Sequence, residues 1–267
     1  MKFLKNLLID ILKVFNLKIV KNDFFVELDN ERKLTQHNLK QLEFIFLNDR
    51  VKKSQKLYDL LKFSKSQISQ DLFVISEFDY IEDGYFIEIG AADGLNLSNT
   101  YMLEKNFNWK GVVVEPAKVW RKKLLENRNC TISNDCIYSE SGLKVDFLQT
   151  VKPEFSTLNI NNKPKDIHDN FRKKNNTSYV IETISFKNFA KKYNIPNKIN
   201  YISIDTEGTE YEILKSIDLK EYDIKIFTIE HNYSTNRDLI YKYLTQFGYV
   251  RVLENFSDFD DWYVKSN

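Results

Sequence analysis

After Phe78 the sequence alternates short β-branched or aromatic runs with amphipathic stretches of about 10–15 residues. The runs are Tyr85–Ile89, Gly111–Glu115, Cys130–Tyr138, Ile199–Asp205, Ile224–Glu230 and Tyr249–Glu254. Between most of them the connection is long enough to cross the sheet and bring the chain back in the same direction, which a hairpin cannot do. The pattern predicts an α/β domain over residues 78–267: a mostly parallel sheet with helices on both faces. A last strand, Asp261–Lys265, follows too closely for a helical crossover and is expected to be antiparallel.

Residues 1–77 lack this alternation and read as an N-terminal helical extension. Phe3, Leu4, Leu7, Leu8, Ile11, Leu12 and Phe15 form one apolar face, and Lys2, Lys5, Lys13 and Lys18 make the remainder basic. Such a helix suits peripheral membrane contact, docking on its own domain, or contact with a second subunit in a homo-oligomer. Two further helical patterns lie near Leu34–Leu47 and Val51–Leu61.

The chain has only 7 glycines, where average usage would supply about 19. Two of them fall in one turn, Glu88-Ile89-Gly90-Ala91-Ala92-Asp93-Gly94, between a strand and the helical pattern Leu97–Lys105. Glycine lets a backbone turn tightly and approach a ligand closely, and the helix start beyond offers free N–H groups. A dinucleotide fingerprint would read G-x-G-x-x-G. This turn reads E-x-G-x-x-x-G, with an acid two residues before the first glycine, as methyltransferases carry it to face the amino group of a methionine moiety. Glu115, ending the next strand before Pro116, is placed to accept both ribose hydroxyls. Asp135, at the end of the third strand, is placed for the adenine amino group. The cofactor expected is S-adenosylmethionine, held by Glu88, Gly90, Ala91, Asp93, Gly94, Ser98, Glu115, Pro116 and Asp135; a nicotinamide-dependent oxidoreductase is the competing class.

Two blocks carry a family resemblance. One is Glu88 to Pro116, with Ser98-Asn99-Thr100-Tyr101, Leu103-Glu104, Trp109-Lys110-Gly111 and Glu115-Pro116; the other is Tyr201 to Leu214, followed by Ile229-Glu230-His231-Asn232. Phe247-Gly248-Tyr249 and Asp261-Trp262-Tyr263 extend it. These residues resemble the FkbM family of methyltransferases over about residues 80–267. The resemblance implies a class I, Rossmann-like fold and O-methylation, in a family that acts on sugars, polysaccharides and secondary metabolites. The expected acceptor is a carbohydrate or sugar nucleotide of surface polysaccharide biosynthesis; a secondary metabolite or phosphorylated small molecule is the alternative.

A sugar hydroxyl is a poor nucleophile until its proton leaves, so a base or a bound metal is needed. Asp205 and Glu207 follow the fourth strand and Glu230, His231 and Asn232 the fifth, at neighbouring strand ends. Asp205, Glu207 and His231 are therefore the candidate catalytic residues. In one reading His231 or Asp205 is the base. In the other, Asp205, Glu230 and His231 or Asn232 hold Mg²⁺ or Mn²⁺. Glu207 could instead cap the following helix.

The rest narrows the partners. A net charge of +1 disfavours duplex nucleic acid, which selects a clear basic excess. Cys130 and Cys136, read on one strand and one face, are too far apart to bridge and fit free thiols in a reducing compartment. No apolar run reaches the roughly 20 residues of a membrane span, and Asp10 and Lys13 interrupt the signal-like N-terminus, so a cytoplasmic location is expected. The polar segment Asn159–Thr177 carries five basic and two acidic residues; it reads as a disordered loop or as one binding an anionic part of the acceptor through Arg172, Lys173 and Lys174. His37 and His168 read as surface residues.

Overall fold

The computed structural model describes residues 39–41, 44, 51–161 and 163–266. The chain divides into two units, residues 1–43 and 44–267, and the architecture below is that of the second. The helix expected at Phe3–Phe15, most of that over Leu34–Leu47, and His37 lie outside the described residues.

Helices α1 (Val51–Leu60) and α2 (Gln70–Glu77) lead into β1 (Tyr85–Ile89), α3 (Tyr101–Phe107), β2 (Lys110–Val114), α4 (Arg121–Asn127) and β3 (Thr131–Ser133). After an intervening segment come β8 (Lys198–Ile204), α7 (Glu210–Ser216), β9 (Asp223–Glu230), α8 (Asn236–Gln246), β10 (Tyr249–Val252), α9 (Glu254–Ser257) and β11 (Asp260–Lys265). These strands form one seven-stranded sheet in the order β10-β11-β9-β8-β1-β2-β3. β3, β2, β1, β8 and β9 are parallel, and β11 runs antiparallel between β9 and β10. The expected class I outline is thus the observed one, with the last strand inserted rather than added at the edge.

Strand parity decides what covers each face. Ile87, Ile89, Val112, Val114, Ile202 and Ile204 point to one side and pack with Ile213 and Leu214 of α7 and Ile240 and Leu244 of α8. Phe86, Val113, Tyr201, Ile226 and Trp262 point to the other and pack with Leu103 of α3 and Leu124 of α4. The same cluster takes Leu57 of α1 and Leu72, Phe73 and Ile75 of α2, helices that the sequence pattern grouped with the extension. Phe73 stacks on Trp262 at 4.6 Å, and Phe44 and Phe256 meet the same indole edge-on.

Residues 136–185 make a second sheet that the alternation did not predict. Its strands are β4 (Cys136–Tyr138), β5 (Lys144–Thr150), β6 (Thr157–Asn159) and β7 (Asn176–Ser185), in the order β4-β7-β5-β6. Helix α5 (Asp169–Lys174) precedes β7, and α6 (Phe186–Tyr193) follows it back to the main sheet. Cys130–Tyr138 is therefore not one strand: Cys130 precedes β3, Cys136 opens β4, and the two lie at different sheets. Both are free thiols. The polar segment is a folded connection containing the end of β6 and all of α5. Among the described residues no helix is long and apolar enough to cross a membrane.

Phe73→Ala should lower unfolding free energy by about 3–5 kcal/mol in a denaturant titration. A change below about 1 kcal/mol would mean that α2 is not part of the cooperative core.

Candidate functional site

The parallel strands end on one side of the sheet, and their carboxyl ends surround a cavity of about 860 Å³, open to solvent. After β1 the chain turns at Gly90, whose φ is +91° and whose amide donates to the Val114 carbonyl at 2.9 Å. A side chain there would collide with the Asp205 carbonyl, so glycine is what lets the loops after β1 and β8 lie in contact. Gly94 (φ +74°) fills the same need against Leu124 and Arg128.

The glycine loop is shaped from beneath. Glu88, buried in β1, accepts hydrogen bonds from Ser98 Oγ, the Asn99 amide, Thr100 Oγ1 and Arg128 Nη1. Arg128, at the end of α4, also binds Glu104 through Nε at 2.5 Å. Burial pushes the Glu104 carboxyl up, but Arg128, Lys105 and the Asn129 amide more than offset it and hold the group at about 2. Asp93 accepts from the Leu95 and Asn96 amides and closes the turn.

Glu115 stands on the β2 side. Its two oxygens accept from the Ala92 and Ala117 amides at 2.9 and 2.7 Å, and burial raises its carboxyl to about 7 against those bonds. Asp135 accepts from Lys192, Tyr193 and Ser133. Burial raises it, these partners outweigh the burial, and its pKa is lowered. The second sheet supplies an apolar wall from Ile137, Phe147 and Leu158.

On the other side, Asp205 from the end of β8, Glu207 after it and Glu230 from the end of β9 bring carboxylate oxygens within 4.8 Å of one another. Like charges packed away from water raise each other's pKa. Burial, with a hydrogen bond from Glu230 opposing it, places Asp205 at about 6. Burial and then Asp205 push Glu207 to about 8, and Glu230 is raised well above the carboxylate range by burial and Asp205. One cation answers this cluster from the polar segment. Arg172 of α5 pairs with Glu207 Oε2, with both oxygens of Asp166, and with the Phe155 carbonyl. Lys163 Nζ donates to the Glu207 carbonyl at 2.6 Å. Glu210, the first residue of α7, accepts from the Thr206 and Gly208 amides and ties down the turn before the helix, while the Glu207 side chain lies in the carboxyl cluster and not at the helix cap the sequence allowed for it.

Against known families, the methyltransferase FkbM domain model matches residues 88–257. The chain belongs to the FkbM methyltransferase family. It is an S-adenosylmethionine-dependent methyltransferase by that membership. Comparison with curated proteins returns no match. Among solved structures it is similar to a precorrin-6y C5,15-methyltransferase from Geobacter metallireducens GS-15, at 12% identity and TM-score 0.36, over 73% of this chain and 87% of that one. A putative sarcosine dimethylglycine methyltransferase from Galdieria sulphuraria is similar at 9% identity and TM-score 0.32, over 70% and 63%.

In this FkbM methyltransferase Glu88, Gly90, Ala91, Ser98, Glu115, Pro116 and Asp135 line the cavity. Asp93 and Gly94 do not line it; they shape the loop behind. His231 is corrected. It lines neither that cavity nor the polar pocket beside it. Its Nδ1 accepts from the Tyr233 amide, and its Nε2 lies 3.7 Å from Asp261. The carboxylate cluster that could hold a metal is Asp205, Glu207 and Glu230, not Asp205, Glu230 and His231. Asn232 reaches it only by donating to Glu207 Oε2 at 3.2 Å. Arg172 is corrected as well: it is 2% exposed and already paired with carboxylates, so it does not bind an anion of the acceptor. His168 is half-buried, stacked on Phe155 at 4.2 Å. The aromatic members of the wall, Trp120 and Phe147, were not foreseen.

Arg172→Met leaves the Glu207 and Asp166 carboxylates without their buried partner and should cost about 3–5 kcal/mol in a denaturant titration. Adding Glu207→Gln should recover part of that loss. Equal stability of the single and double variants would mean that the pair does not couple.

Proposed function

We propose that this methyltransferase transfers a methyl group to the oxygen of an aliphatic hydroxyl on a carbohydrate or sugar nucleotide, with Asp205 as the proton acceptor. One observation carries the reading: a carboxyl cluster in contact with the solvent-open cavity at the strand ends, in which Asp205 sits at about 6. An aliphatic hydroxyl keeps its proton until the new bond forms, so catalysis needs a base near its working pH.

The cavity suits S-adenosylmethionine on its own geometry. Each Glu115 oxygen accepts one amide, which leaves acceptor capacity for the two hydroxyls of a ribose. Trp120, on the lining, keeps a buried Nε1 donor with no partner among the described residues, and the apolar wall suits a flat base. Bound there, S-adenosylmethionine supplies an electrophilic methyl group on a sulfonium. Glu88 acts as the post that fixes the Ser98–Thr100 loop, since that loop and Arg128 occupy its carboxylate.

The chain's own residues then divide the work. Asp205 takes the hydroxyl proton as oxygen becomes the nucleophile. Glu230, raised far enough to stay protonated, donates a hydrogen bond that keeps Asp205 ionised. Arg172 and Asn232 hold Glu207 beside them. Three carboxylates at this spacing also suit Mg²⁺ or Mn²⁺, but Arg172 and Asn232 already occupy Glu207 Oε2, which favours the base reading.

Glu115→Ala should weaken S-adenosylhomocysteine binding by about 2–4 kcal/mol, at roughly 1.5–2 per charge-assisted bond. Unchanged calorimetric affinity would sink the ribose assignment.

Methyl transfer to a panel of free and nucleotide-linked hexoses, read by mass spectrometry, should show activity that falls as the pH drops below about 6, because protonated Asp205 cannot accept. Asp205→Asn should lose most activity at every pH and keep S-adenosylhomocysteine binding. Wild-type rates in that variant, or activity abolished by a chelator and restored by Mn²⁺, would refute the base reading.

A further inference from the structure

The cofactor cavity has a smaller polar neighbour that nothing above uses. This pocket, with room for about one water-sized group, is lined by Gln67, Gln70, Asn99, Asp205, Glu230 and Asp260, with Phe259 at one side. It shares Leu97, Asn99 and Asp205 with the cofactor cavity, so the proposed base stands at the junction of the two spaces.

Two of its residues are left incomplete. Asn99 Oδ1 and Asp260 Oδ1 are buried and find no hydrogen-bond partner among the described residues; Asn99 is 7% and Asp260 3% exposed. The other ends of both side chains are fixed. Asn99 Nδ2 donates to Ser203 Oγ at 2.9 Å, which settles which end of the amide is oxygen. Asp260 Oδ2 accepts from Gln70 Nε2 at 3.1 Å and Trp262 Nε1 at 3.2 Å. Burial raises the Asp260 carboxyl well above the usual carboxylate range. Buried oxygens held rigidly without partners are costly, and at the wall of a pocket they mark places where an occupant brings the missing hydrogen-bond partners.

The lining also selects that occupant. It contains acids, amides and hydroxyls but no lysine or arginine, so a phosphate has nothing to pair with here. A single neutral hydroxyl, which both donates and accepts, matches this lining in size and charge. We propose that this pocket is part of the acceptor site, taking one hydroxyl of a neutral carbohydrate ring, the neighbour of the hydroxyl presented to Asp205, with Asn99 and Asp260 as its specificity-determining residues. The proposal rests on the carbohydrate reading above and adds where the ring sits. Any phosphate of an activated sugar then lies outside this pocket.

The test uses the full chain loaded with S-adenosylhomocysteine and a panel of neutral methyl hexosides, observed by saturation-transfer NMR. Wild type should bind at least one member. Asp260→Ala should weaken that binding by about tenfold or more while calorimetry shows S-adenosylhomocysteine affinity unchanged. Because Asp260 also anchors Gln70 and Trp262, Gln67→Trp at the exposed rim serves as a second variant that blocks the pocket without touching the core. It should abolish the hexoside signal. Hexoside binding unchanged in both variants overturns the subsite and leaves the carbohydrate reading standing. Weakened S-adenosylhomocysteine binding in both assigns the pocket to the cofactor and overturns it too. No binding of any hexoside by wild type removes the carbohydrate reading and the subsite together.

Discussion

A carboxylate buried in the middle of β1 and a guanidinium reaching it from the end of α4 hold the rest of this site in place. Glu88 is buried inside the sheet, and Arg128 and the hydroxyls around it supply the partners its carboxylate loses in leaving water. Arg128 in turn spreads its donors over Glu88, Glu104, Ser98, Thr100 and the Gly94 carbonyl. The pair thus links a strand, two helix ends and the whole loop from Gly94 to Thr100. That loop forms one wall of the cavity at the strand ends, so its shape follows from a buried charge network rather than from the glycines alone. The glycines permit the turn; the ion pair selects one conformation of it.

The opposite wall is built on the reverse balance. Asp205, Glu207 and Glu230 crowd together with Arg172 as their close cation, and burial first, then the charge of neighbouring carboxylates, raises their pKa values above the usual carboxylate range. A cluster fully neutralised by cations would titrate too low to accept a proton near pH 7. The second sheet is what delivers that limited charge, because β6 and α5 place Lys163 and Arg172 over the Glu207 turn.

The main sheet was legible because its strands are buried on both faces, so YFIEI and KGVVV stand out as apolar runs between helical patterns. The glycine turn and Glu115 were legible because their chemistry is local. The second sheet was not: β7, NTSYVIETIS, holds strand formers but is almost entirely exposed or half-buried, so it shows no apolar run of the kind that marks the main-sheet strands. Arg172 was misread because counting charges within a segment cannot reveal that Glu207, 35 residues later, folds back onto it. His231 was misread although a signal existed. Consecutive residues at a strand end face opposite sides, so Glu230 and His231 had little chance of serving one site. Asp260 drew no attention because its value comes from an unpaired oxygen, which only a packed structure reveals.

The insertion of β11 between β9 and β10 orders events in time as well as in space. During synthesis β10 is made before the strand that joins it to the sheet. Until residues 260–265 emerge from the ribosome, β9 exposes a bare edge, and α2 lacks the Trp262 ring on which Phe73 stacks. Asp260 arrives with the same strand. The polar pocket beside Asp205 is thus completed by the strand that comes last in chain order.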